Sequence, residues 1–114
     1  AYPRASLSRW DNPVASCEAL PAAQDWLQKQ RRGWRPRLES ETGYNEVSTF
    51  AVCKLAFGRP FVDRERQRIY VRGVLTLQDR LDLTHEYLHL AFEAHPNGQD
   101  ETYIEGLARH LLLE

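Results

Sequence analysis

Between Leu77 and Phe92 apolar side chains recur at the spacing of a helix and leave one narrow strip for anything else. With about 100° per residue and His85 set at zero, Leu77, Leu81, Leu83, Thr84, Tyr87, Leu88, Leu90, Ala91 and Phe92 fill an arc from about 140° to about 340°. A helix of that kind must be covered on most sides. The strip that remains carries Gln78, Asp82, His85, Glu86, His89 and Glu93, so both histidines and Glu86 face a cleft or solvent.

The rest of the chain supplies the cover. "HPNGQ" at 95–99 breaks the helix, and Asp100 is a good N-cap for a last helix running to about Leu113. Near the other end, Leu20, Ala23, Trp26 and Leu27 predict a first helix over residues 16–32, with Gly33 as its stop. Between these helices the sequence turns to short segments rich in β-branched and aromatic residues, punctuated by Thr42-Gly43, Gly58-Arg59-Pro60 and Gly73. Strands are expected near 34–38, 48–57 and 68–72, the first at an edge because of Pro36. The opening "AYPRASLSRWDNP" reads as an extended arm or linker, and a start at Ala1 rather than methionine as a processed form or an excised domain. The expected architecture is α+β. An N-terminal helix precedes a short antiparallel sheet of about three strands, then an active-site helix and an antiparallel C-terminal helix. All of this forms one domain over 16–114, after an arm over 1–15.

At 114 residues such a domain can bury a modest core without a metal or disulfide to hold it, so an ion bound here would serve chemistry. The net charge of −1 attracts neither nucleic acid nor anionic lipid. The arginines of "VDRERQRIYVRG" are interleaved with acids and lack the aromatic spacing of a base-stacking surface, which disfavours DNA or RNA binding. No apolar run reaches membrane-spanning length. Cys17 and Cys53 fit one disulfide in an oxidising compartment or two buried thiols, and neither has a CxxC partner.

Histidines at i and i+4 lie roughly 6 Å apart on one helical face, so their nitrogens can converge on a tetrahedral zinc at about 2.0 Å each. The residue after the first histidine points about 100° away, which sets Glu86 beside the ion, where a carboxylate can take a proton from water. A third ligand must come from the last helix, which offers Glu101 and Glu105. If the active-site helix ends near Ala94 and the chain reverses, His89 lies about 7.5 Å from the turn, and the same distance back from Asp100 reaches Glu105. That makes Glu105 the expected ligand, with Glu101 holding a histidine or serving as ligand in its place. Asp100 and Glu101 are equally accounted for as carboxylates at a helix N-terminus.

"HEYLH" at 85–89 resembles the HExxH helix of the gluzincin branch of the zincin metallopeptidases, and "YIEGLA" at 103–108 resembles the following helix, in which a glutamate before Gly-Phe/Leu-Ala is the third ligand. The resemblance implies zinc held by His85, His89 and Glu105, Glu86 as general base, and a tyrosine or histidine supporting the oxyanion, for which Tyr70, Tyr103 and His110 are the candidates. From about Ser16 onward the chain also resembles a domain of unknown function of predicted secreted bacterial proteins. Their genes tend to lie near those of alpha-2-macroglobulin-like proteins. That likeness implies a periplasmic or secreted setting and an alpha-2-macroglobulin-like partner. The expected function is therefore a zinc-dependent peptidase acting on a peptide or protein. The alternatives are a zinc-bearing module that binds a secreted partner with little hydrolysis, and a hydrolase of another amide, such as a cell-wall peptide crosslink.

Overall fold

The structure, a computed structural model, describes residues 17–114; the expected arm over 1–15 lies outside them. The first helix, α1, spans Pro21–Leu38 and starts on a proline, whose missing N–H is no loss in a first turn. It runs six residues past the expected end, and the segment expected to be a strand at 34–38 is its last turn and a half. The cause is the stripe Ala23, Leu27, Arg31, Trp34, Leu38, which continues at helical spacing and is buried along its whole length. Gly33 lies off that stripe, where an added Cβ would meet nothing. Pro36 falls within the final turn, where it removes the bond its N–H would otherwise make to the Arg32 carbonyl. Packing of Trp34 against Trp26 and Tyr87 outweighs both breakers.

Buried Arg31, together with Arg35, pairs with Glu46 and so ties the coil before the sheet to α1. Three strands follow: β1 (Ala51–Lys54), β2 (Phe61–Asp63) and β3 (Arg68–Val71), in the order β1-β3-β2. The strands β1 and β3 lie within the expected 48–57 and 68–72, whereas β2 was not anticipated. The sheet is mixed rather than antiparallel. β1 runs parallel to β3, with Val52 opposite Ile69, and β2 runs antiparallel to it, with Val62 opposite Ile69. A parallel pair needs a long crossover, and here the chain between β1 and β3 contains β2.

Side chains alternate across the sheet. Val52, Ile69 and Val71 join the main core under the helices, while Cys53 and Tyr70 face a small cluster on the other side. There Cys17 and Cys53 form a disulfide. The segment it anchors covers the outer edge of β1, with Leu20 N–H donating to the Val52 carbonyl at 3.1 Å and Lys54 N–H to the Glu18 carbonyl at 2.7 Å. Because β3 is paired on both sides, β2 presents the open edge of the sheet among the described residues.

Helix α2 (Leu77–Ala91) begins at a reciprocal capping box between Thr76 and Asp79, and α3 (Glu101–Leu113) begins at Asp100, whose carboxylate accepts from the Thr102 and Tyr103 N–H groups. His85 meets Glu105 and His89 meets Glu101, so partners draw together toward the connecting loop and the two helices are antiparallel. Leu83, Tyr87, Leu88 and Phe92 pack with Ile104 and Ala108, all but inaccessible to solvent. Each buried leucine, isoleucine or phenylalanine among them stabilises the fold by roughly 1.5–3 kcal/mol, and together these side chains fix how α3 lies over the histidine strip.

Candidate metal centre

Neither histidine is free to rotate. His89 is 5% exposed, and its Nδ1 donates to the Gly98 carbonyl at 2.9 Å. His85 Nδ1 lies 2.8 Å from Glu105 Oε1, whose second oxygen accepts from Arg109 Nε at 2.8 Å. Both rings therefore turn Nε2 toward one point. The two Nε2 atoms stand 3.2 Å apart, and Glu101 Oε1 lies 2.6 Å from that of His85 and 3.0 Å from that of His89.

Proton counting tests whether a cation fits there. A carbonyl oxygen and a carboxylate only accept, so both Nδ1 atoms carry protons, and in neutral rings both Nε2 atoms then hold bare lone pairs. In that state two lone pairs and a carboxylate oxygen converge, whereas one added proton on His85 would sit between its Nε2 and Glu101 Oε1 at 2.6 Å. Protonating both rings fully would instead aim two N–H groups at each other across 3.2 Å. Either that shared proton or a divalent cation satisfies the arrangement, and the donor set fits zinc: two imidazoles and a carboxylate, all within 4.8 Å of one another. The Glu101 side chain is 74% exposed, so the centre opens to solvent on that side.

The grouping differs from the expectation that Glu105 stands with the histidines, and the reason is the length of α2. The helix ends at Ala91, and residues 92–100 form successive turns. His89 is thus only about 3 Å from its helix end, at 1.5 Å per residue, and the matching position on α3 is its first turn. Glu101 is level with His89 and Glu105 with His85. His89 is also buried rather than cleft-facing, because the loop carrying Gly98 folds over it.

The centre lies in a cleft of about 440 Å³ lined by Arg59, Pro60, Asp82, His85, Glu86, Glu101 and Glu105. Helix α2 forms its floor, α3 one wall, and the turn leading into β2 the other. A recess of about 490 Å³ between coil 45–49 and the end of α2 holds Glu46 and Glu93 but no histidine, so the converging donors belong to the smaller cleft.

Glu86 is half-buried and makes no hydrogen bond or ion pair with any described residue. Burial pushes its carboxyl up to about 7, against the opposing pull of His85 and His89. Burial also acts to lower His85, but the hydrogen bonds it donates to Glu105 and Glu101 outweigh it and the net shift is upward. For Glu101 the burial penalty is overcome by its contacts with His85 and His89, and its carboxyl lies below the usual range.

The three residues expected to support an oxyanion stand elsewhere. Tyr70 is buried and stacked on Phe61 on the far face of the sheet. Tyr103 stacks on His95 beside Phe92. His110 pairs with Glu114 at the exposed end of α3. None of them lines the cleft.

Gly98 had no signal in the sequence beyond a turn. A Cβ there would stand 1.8 Å from the Phe92 carbonyl oxygen, so the loop can pass over His89 only with glycine. Gly98→Ala is expected to displace the carbonyl that holds His89 and to weaken zinc binding by about 10- to 100-fold. It should also lower Tm by about 4–8 °C for each kcal/mol of strain. Competition against a zinc chelator and a melting curve measure the two effects, and unchanged zinc affinity would rule out this role for Gly98.

The family described as predicted secreted protein (DUF2300) matches residues 1–97 of the chain, which takes in both histidines and Glu86 and stops short of α3. The uncharacterized protein YfaQ of Escherichia coli (strain K12) is 56% identical over 114 residues, which is the whole chain and 21% of that relative's length. No solved structure matches the chain. No described helix is long and apolar enough to cross a membrane.

Proposed function

We propose that this chain, which belongs to the DUF2300 family of predicted secreted proteins, is a zinc-dependent metallopeptidase domain. The observation that carries this reading is the convergence of His85 Nε2, His89 Nε2 and Glu101 Oε1, with both Nδ1 atoms tied back by fixed acceptors. Two histidines and a glutamate form a ligand set of catalytic zinc, which leaves a coordination position for reactants. Bound there, zinc supplies Lewis-acid polarisation of the scissile carbonyl and acidifies water to a pKa of about 7.

The chain's own residues do the rest. Glu86, next in sequence to one ligand and turned into the same cleft, takes the proton of the attacking water and returns it to the leaving amine. Glu105 and the Gly98 carbonyl hold the imidazoles in the tautomer that presents Nε2. Toward an extended substrate, β3 is occupied on both edges and β1 is covered by residues 18–20. The open edge of β2, which starts where Pro60 lines the cleft, is the one that can accept a peptide strand.

The expected result is cleavage of a mixed peptide library by the zinc-loaded chain, read as new termini by mass spectrometry. Chelation should stop it and added zinc should restore it. A zinc-loaded chain that cleaves nothing would sink the proposal.

One observation favours a second reading, a zinc-bearing module that docks on a secreted partner such as an alpha-2-macroglobulin-like protein. The chain spans only 21% of its relative's length, so most of that protein lies outside this domain and can hold the chemistry or the partner.

A further inference from the structure

We infer that Arg59 is the receptor for the free C-terminal carboxylate of a peptide, so that the cleft acts at the carboxyl end of its substrate. The inference rests on the peptidase reading above and deepens it by naming the substrate class.

Arg59 is the one arginine or lysine among the residues lining the cleft. It is exposed and makes no hydrogen bond or ion pair with any described residue, although Asp82, Glu86, Glu101 and Glu105 line the same space. Those carboxylates are otherwise engaged. Glu101 faces the two Nε2 atoms, Glu105 is shared by His85 and Arg109, and Asp82 accepts from Gln78 Nε2 at 2.8 Å. Glu86 is the unpartnered base. The guanidinium thus stands available among acids that have their own tasks.

Its backbone is held in place. Gly58 before it sits at φ +83°, a conformation glycine adopts without strain, and the Gly58 carbonyl accepts from Arg72 Nη2 at 2.9 Å. Pro60 after it fixes φ and leads into β2. A rigid turn that presents a planar five-donor fork suits bidentate capture of a carboxylate.

Direction along the cleft decides which carboxylate. The strand β2 runs from Arg59 and Pro60, beside Asp82 on α2, toward Arg64, which bonds Gln99 in the loop after α2. A peptide lying on the open edge of β2 therefore has its body toward residues 61–65 and one end at Arg59. A cationic group at that end selects the carboxyl terminus over the amino terminus.

The test uses the zinc-loaded 114-residue chain carrying Glu86→Gln, which prevents turnover, alone and combined with Arg59→Gln or Arg59→Lys. The ligands are N-acetyl-trialanine as the free acid, the same peptide as its C-terminal amide, and an amidated peptide with an internal glutamate, each titrated by NMR. The acid should bind about 10- to 100-fold more tightly than the amide, the value of one charge-assisted pair. Arg59→Gln should erase that difference and Arg59→Lys should restore part of it. Equal binding of acid and amide, a preference that survives Arg59→Gln, equal capture of the internal glutamate, or no binding of any peptide would each overturn the inference. The peptidase reading fails on a different result, the absence of zinc-dependent cleavage, and a chain that cleaves peptides without regard to their C-terminus would keep that reading while losing this one.

Discussion

Glu86→Gln should reduce zinc-dependent cleavage by about 10²- to 10⁴-fold, the span that removal of a general base ordinarily costs, while the zinc content stays at the wild-type level. The amide has the size and shape of the carboxyl, so the cleft keeps its form. What disappears is a group able to take a proton. Glu86 does not belong to the set of converging donors, which is why zinc should be retained. The same substitution should leave Tm unchanged or raise it. A half-buried carboxyl with no hydrogen-bonding partner contributes nothing to the fold, and the burial that lifts it to about 7 is a cost borne in its ionised form. Loss of activity with gain of stability is the mark of a side chain kept for chemistry. Kinetics on a peptide found by the library screen, metal analysis and a melting curve measure the three quantities. Cleavage at the wild-type rate would remove Glu86 from the mechanism. A chain that never cleaves, yet binds a secreted partner with equal affinity before and after the exchange, would establish the docking reading instead.

The helices were legible in the sequence because amphipathic period is a long-range pattern that survives local breakers. The strip His85, Glu86, His89 was visible for the same reason, since one face of α2 had no apolar residue to bury. At α1 the local signals misled: Gly33 and Pro36 argue for a stop, but Trp34 and Leu38 complete a buried stripe, and their burial outweighs the roughly 1 kcal/mol that a helical glycine costs. The strand β2 is not legible in the sequence because three residues offer too short a run to show alternation, and its existence depends on pairing with β3. Gly98 and Arg59 carry no motif at all. Their part in the site comes from a loop folding back over His89 and from a turn arriving opposite α2, both of which are tertiary facts.

The register of α3 against α2 was the finest detail at issue, and it turns on where α2 ends, a boundary that sequence patterns place only to within a few residues. Moving the end from Ala94 to Ala91 shifts α3 by about one turn, and the carboxylate facing both Nε2 atoms changes from Glu105 to Glu101. Glu101→Ala is accordingly expected to lower zinc affinity by more than about 100-fold, beyond the 10- to 100-fold that loss of an outer hydrogen-bond partner costs. Glu105→Ala should fall within that smaller range, because it removes the acceptor of His85 Nδ1 and leaves the converging donors in place. The NMR signal of the His85 Nδ1 proton separates the two roles: in zinc-loaded protein it should shift in Glu105→Ala and stay near its wild-type position in Glu101→Gln. Chelator competition on both alanine variants gives the affinities. Should Glu105→Ala prove the more damaging of the two, the likeness of "YIEGLA" to the third-ligand helix would have read the site better than the register of the two helices, and the ion would sit on the Glu105 side of His85.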